Sequence, residues 1–156
     1  MSFLAPLKVL VIEDDENDTI LINRALERLG CARGFTRLPD SEDVIPYLRG
    51  ENQYANRQVY PFPNVLLMDN RMPLLAGLDV LFWLRTEPYF ARLPVVILTG
   101  TLMPSELAIT QRLKAIPVLK SMGFESMPQA LEQGIRAAFE MVGQVQNDPR
   151  NGLRAA

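Results

Sequence analysis

The sequence predicts an α/β fold, a doubly wound parallel sheet with helices on both faces. Short apolar runs of strand type alternate with segments whose apolar residues recur every three and four positions. Four of the five apolar runs stop on a polar residue, and neither a repeat nor a linker divides the chain. Alternation of this kind implies right-handed crossovers between parallel strands. Strand order 2-1-3-4-5, the flavodoxin-like (βα)5 arrangement, would set the first and third strands side by side.

The first strand is expected at Leu7 to Ile12, ending in Glu13, Asp14 and Asp15. Asn17 or Asp18 is read as the cap of a helix carrying Leu21, Ile22, Ala25, Leu26 and Leu29 inward, closed by Gly30. Asp15 is read as a solvated acid leading that helix. A more polar second strand spans Gly34 to Leu38. The helix that follows lies within Asp40 to Leu48; with Asp43 as cap, Pro46 falls in its first turn. The polar segment Glu51 to Pro63 is a long loop, of a length that is usually functional or mobile.

Val65 to Met68 form a strand apolar enough to be covered on both faces, and Asp69 stands at its C-terminal edge. Pro73 and Gly77 shape the next loop, and a helix with Leu78, Leu81, Phe82, Trp83 and Leu84 stops near Pro88. Pro94 to Leu98 give a fourth strand, ending in Thr99 and Gly100. A helix led by Pro104 carries Ile109, Leu113 and Ile116 on one face and must end before Pro117. Val118 and Leu119 form a short fifth strand that ends in Lys120. Ser126 and Gln129 match a capping box for the last helix, with Leu131, Ile135, Ala138, Phe139 and Val142 inward. One domain over residues 1–143 and a frayed polar tail over 144–156 are expected.

Length and charge narrow the function. A chain of 156 residues fits one domain and leaves no room for a second catalytic or DNA-binding unit. Its formal net charge of -2 offers no basic field for nucleic acid or an anionic membrane. The single Cys31 forms no internal disulfide, and no leader or membrane-length run is evident, which points to the cytoplasm. Histidine is absent, so histidine bases, serine triads and His-ligated zinc are excluded. Carboxylates, hydroxyls and lysines must carry any chemistry, and such an oxygen site suits a hard cation such as Mg²⁺.

The strand-end residues suit phosphoryl chemistry. Crowded carboxylates raise one another's pKa, and a divalent cation resolves that conflict. An aspartate is a competent nucleophile toward phosphorus once the phosphoryl charge is neutralised. Lys120 can pair with one phosphoryl oxygen and the Thr99 hydroxyl can donate to another.

In this combination the chain resembles a receiver domain of a two-component response regulator, over about residues 7 to 143. The resemblance rests on VLVIEDD, on the D-x-x-M-P-x-x-x-G pattern of Asp69 to Gly77, on ILTG after strand four and on VLKS after strand five. It implies Asp69 as phosphoacceptor, Asp14 as direct metal ligand, Glu13 as its water-linked neighbour and Arg71 as donor of a backbone carbonyl. Thr99 takes the switch-hydroxyl role and Lys120 the phosphate-pairing role. It also implies a sensor histidine kinase or phosphotransfer protein as partner, output to a separate protein, and a homodimer through helix four, strand five and helix five.

Departures from the family pattern are Ser121 in place of the usual proline after the lysine and Pro117 where many members carry a switching aromatic. The segment between Thr99 and Lys120 lacks a helix-ending glycine. Lys120-Ser121, the Tyr/Pro-containing loop before strand three and the lack of an output domain are similar to regulators that partner phytochrome-type kinases. Two rivals remain: a degenerate receiver that binds a partner without phosphorylation, and an aspartyl-phosphate phosphatase or phosphotransferase. The second lacks the usual acid two places after the nucleophile, where this chain has Arg71.

Overall fold

The computed structural model describes residues 3–70, 77–101, 103–120 and 125–146. Five strands, β1 (Val9–Ile12), β2 (Phe35–Leu38), β3 (Val65–Asp69), β4 (Val95–Thr99) and β5 (Ile116–Leu119), form one parallel sheet in the order β2-β1-β3-β4-β5. Between and after them run α1 (Glu16–Arg28), α2 (Val44–Arg49), α3 (Gly77–Thr86), α4 (Pro104–Arg112) and α5 (Met127–Gln146).

The two-residue period of a strand divides the core into two layers. Leu10, Ile12, Leu66, Met68, Val95 and Ile97 face the cluster that holds Val44, Leu48, Leu81 and Leu84 from α2 and α3. Their alternates Val9, Val11, Val65, Leu67, Val96 and Leu98 face Ile22, Leu26, Leu131 and Ile135 from α1 and α5. β1, β3 and β4 are thus buried throughout, which is why their sequences are unbroken apolar runs rather than alternating ones.

Several local expectations are corrected. The cap of α1 is Asp15, not Asn17 or Asp18: its side chain accepts from the Asp18 backbone N–H at 2.9 Å. The second helix begins as a 3-10 turn at Ser41–Asp43, capped by Asp40, and Asp43 makes no side-chain cap bond to α2. Ile116 belongs to β5 rather than to the fourth helix, and Pro117 lies within that strand. An edge strand tolerates a proline because one of its sides has no neighbour to receive an N–H. On α4, Ile109 points outward and Thr110 is the buried residue, its hydroxyl donating to the Glu106 carbonyl at 2.8 Å.

The loop before β3 is packed down. Tyr54 is buried, with ring centroids 5.1 Å from both Tyr47 and Tyr60, and the Tyr47 hydroxyl donates to the Pro61 carbonyl at 2.9 Å. Arg57 closes it, donating to Leu48 O at 2.8 Å and Tyr60 O at 3.1 Å.

α4 ends without glycine, as its sequence requires. Lys114 adopts a left-handed φ of 57°, a conformation that costs a β-carbon-bearing residue about 1–2 kcal/mol. Arg85 of α3 stabilises the turn, donating to Leu113 O at 2.7 Å and Lys114 O at 3.3 Å, and also to Ala91 O at 3.1 Å and Leu93 O at 2.8 Å. Burial pulls its guanidinium down to about 10, which leaves it cationic at neutral pH. Arg85→Met removes a guanidinium from four carbonyls, and urea unfolding should show a loss of about 2–4 kcal/mol with the m-value unchanged.

Candidate functional site

Strand register brings the polar termini together. Ile12 pairs with Met68, so Glu13 and Asp69, each one residue further, come level at the C-terminal edge of the sheet. Thr99 pairs with Leu119, placing Lys120 just beyond it on the same edge. Glu13 has no solvent exposure and Asp69 is also buried, whereas Asp14 is exposed.

One ammonium serves this edge. Lys120 Nζ donates to Asp69 Oδ2 and to Asp18 Oδ2, both at 2.8 Å. It also lies 2.7 Å from Glu13 Oε2 as an ion pair, but that buried oxygen receives no aligned hydrogen bond. The other oxygen, Oε1, accepts from the Asp15 N–H at 3.2 Å. Burial pushes Glu13 up to about 7, with Lys120 opposing the rise and Asp69 adding to it. For Lys120, burial favours loss of the proton, but its contacts with Asp18, Asp69 and Glu13 outweigh burial, so its pKa is raised.

Glu13, Asp14 and Asp69 each offer a carboxylate oxygen, all within 4.8 Å of one another. A divalent oxygen-seeking cation fits this donor set, and the buried Glu13 oxygen without a hydrogen bond is the kind of group such a cation relieves. Gly77 keeps the approach close: a β-carbon there would lie 2.8 Å from Asp69 O and 2.9 Å from Asn70 Cα.

Of the residues predicted for the site, Glu13, Asp14, Asp69 and Lys120 are gathered. Thr99 is buried on the same edge, but its hydroxyl donates to Thr101 O at 2.6 Å, within its own loop. Arg71 and Ser121 lie outside the described residues, as do Pro73 and the tail from residue 147. Three further participants escaped the sequence reading. Asp18 reaches Lys120 from the first turn of α1, a role its local sequence does not signal. Arg37 of β2 donates to Glu13 O at 3.0 Å and Asp14 O at 3.3 Å, holding the acidic turn by its backbone. Asn70 donates to Glu106 Oε2 at 3.0 Å, joining the end of β3 to the first turn of α4.

A family model described as the response regulator receiver domain matches residues 9–132. The chain belongs to that family. It is a family of signalling switches rather than of classical enzymes, and its members bind a divalent metal. The probable methanogenesis regulatory protein FilR2 of Methanothrix harundinacea is 28% identical over 130 residues, 82% of this chain and 81% of its own. The response regulator Rcp1 of Synechocystis sp. is 30% identical over 94 residues, 60% of this chain and 62% of Rcp1. The Mn(2+)-bound form of Rcp1 superposes with a TM-score of 0.69 at 23% identity, over 97% of each chain. The bacteriophytochrome response regulator AtBRR superposes with a TM-score of 0.68 at 28% identity, over 84% of this chain and 93% of its own. Among the described residues no helix is long and apolar enough to cross a membrane.

Proton linkage at Glu13 gives a measurable sign. Between the ordinary carboxylate value of 4.5 and about 7, the folded protein holds a proton on Glu13 that the unfolded chain has released. Stability of the metal-free protein should therefore fall as pH rises through this window, by at most about 1.4 kcal/mol per pH unit. Thermal melts of the wild type and of Glu13→Gln check it: the variant should lose the slope.

Proposed function

We propose that the chain is a phosphorylation switch in which Asp69 accepts a phosphoryl group from the phosphohistidine of a sensor kinase or phosphotransfer protein, with Mg²⁺ bound. The observation that carries this reading is the Lys120 ammonium hydrogen-bonded to Asp69 at the sheet edge where Glu13 and Asp14 gather. A carboxylate oxygen of Asp69 attacks phosphorus; the P–O bond forms as the P–N bond breaks, and the imidazole departs with that bond's electron pair. Lys120, already directed at Asp69, turns a donor to a phosphoryl oxygen. The Thr99 hydroxyl exchanges Thr101 O for another phosphoryl oxygen.

Glu13, Asp14 and Asp69 would hold the metal through side chains and Arg71 through its backbone carbonyl, the last by family resemblance. When bound, Mg²⁺ supplies the positive charge that lets an anionic donor approach an anionic site. The name of AtBRR, a bacteriophytochrome response regulator, supports a kinase partner of the phytochrome type. Output runs to a separate protein or a second copy, by way of the surface of α4, β5 and α5. An apolar groove of about 610 Å³ between β5 and α5, lined by Ile116, Val118, Gln129 and Gly134, is where such contacts would form.

Asp69→Asn should abolish labelling by a phosphorylated kinase or by acetyl phosphate while circular dichroism shows the fold retained. Labelling that persists would move the acceptor elsewhere. Lys120→Ala removes a charge-assisted bond, and beryllofluoride binding with Mg²⁺ should weaken by about ten- to a hundredfold. Unchanged binding would take the phosphate-pairing role from Lys120.

A further inference from the structure

Asp18 stands apart from the three carboxylates that gather for a metal, yet it takes one of the two aligned hydrogen bonds that Lys120 gives. It is the third residue of α1, and its backbone N–H is fixed by the Asp15 side chain at 2.9 Å. Its carboxylate is therefore supplied by a rigid helix turn, about a third exposed, across the ammonium from the end of β3.

An ammonium has three donors and no more. Here one is spent on Asp18 and one on Asp69, each at 2.8 Å, and the third close contact of the ammonium is its ion pair with buried Glu13 Oε2 at 2.7 Å. A phosphoryl group arriving on Asp69 adds negative charge and needs a Lys120 donor of its own. Asp18 opposes that arrival twice, by holding one donor and by its own charge.

We propose that Asp18 is a positioning residue that competes with the phosphoryl group for Lys120 and thereby sets how readily Asp69 is phosphorylated. The inference rests on the reading of Asp69 as phosphoacceptor. Asp18 touches no reacting atom; it acts through Lys120.

The test uses the full chain with Mg²⁺ and acetyl phosphate. The donor's bond between phosphorus and the acetyl oxygen breaks, acetate leaves, and phosphorus bonds to an Asp69 oxygen. Asp18→Asn keeps the size of the side chain and removes its charge, so phosphorylation should accelerate by about three- to tenfold, and beryllofluoride should bind more tightly by a similar factor. Asp18→Glu, which keeps the charge, should stay near the wild-type rate. The gain in Asp18→Asn should shrink as salt is raised from about 0.05 to 0.5 M, because a partly exposed charge is screened. A residue that merely held the start of α1 would change the melting temperature without this charge and salt dependence.

An unchanged or slower Asp18→Asn, or a gain indifferent to salt, overturns the competition. If wild type is labelled and Asp18→Asn behaves like it, only the role of Asp18 fails. If wild type takes up neither acetyl phosphate label nor beryllofluoride, the assignment of Asp69 fails and this inference falls with it.

Discussion

The structure depends on holding several negative charges against one positive charge at the edge of a rigid sheet. Glu13, Asp18 and Asp69 converge on a single ammonium, with the Asp14 carboxylate close to those of Glu13 and Asp69, and Glu13 is fully buried there. Four carboxylates and one ammonium cannot neutralise one another, and burial makes each unpaired charge costlier than it would be in water. The arrangement persists because elements that gain nothing from it impose it. β1 and β3 are locked in register by apolar packing on both faces, and the adjacent strand end supplies Arg37 to bind the backbone carbonyls of the acidic turn. Stability made in the core is spent at the edge, where the excess negative charge suits a divalent cation.

What the sequence made legible follows the same division. Buried parallel strands must be continuous apolar runs, and a polar residue that ends such a run marks the edge of the sheet. Ile12-Glu13, Met68-Asp69, Leu98-Thr99 and Leu119-Lys120 could therefore be read directly, and the strand order then implied that the acids meet. Readings failed where the deciding interaction was local competition or side-chain reach. Asp15, Asn17 and Asp18 are all competent caps, and which one serves depends on where β1 releases the backbone. Ile116 fits a helical face by spacing, but Pro117 and the pairing with β4 place both in a strand. Asp18 and Arg37 enter the site from elements whose own patterns explain them fully as a helix start and a strand, so nothing in their local sequence asks for a second role.

The fourth helix shows how weak packing and tight tethering can coexist. Met103 and Ile109 are exposed, and the one buried residue is a threonine that bonds back to its own helix. Few apolar contacts hold α4 to the sheet, so its position rests on polar ties at each end. Asn70 reaches Glu106 in the first turn, and Arg85 grips the carbonyls after the last. Elements fixed in this way lie toward the low-stability end of a fold, where two arrangements differ by little free energy.

Asn70 is the covalent neighbour of Asp69, which gives the first of those ties a particular consequence. Pro117 stands where many members of the family carry a switching aromatic, and it has neither the ring nor the rotamers to move between two positions. A change at Asp69 can bias α4 only through contacts that differ between its two states. The Asn70–Glu106 bond connects the residue next to Asp69 with the first turn of α4, and no rearrangement of β5 is needed for that bond to lengthen or break. Thr99 sits between the same two elements with its hydroxyl committed to Thr101, so release of that bond would loosen the loop leading into α4. These two hydrogen bonds tie the ends of β3 and β4 to α4 and to the loop that leads into it.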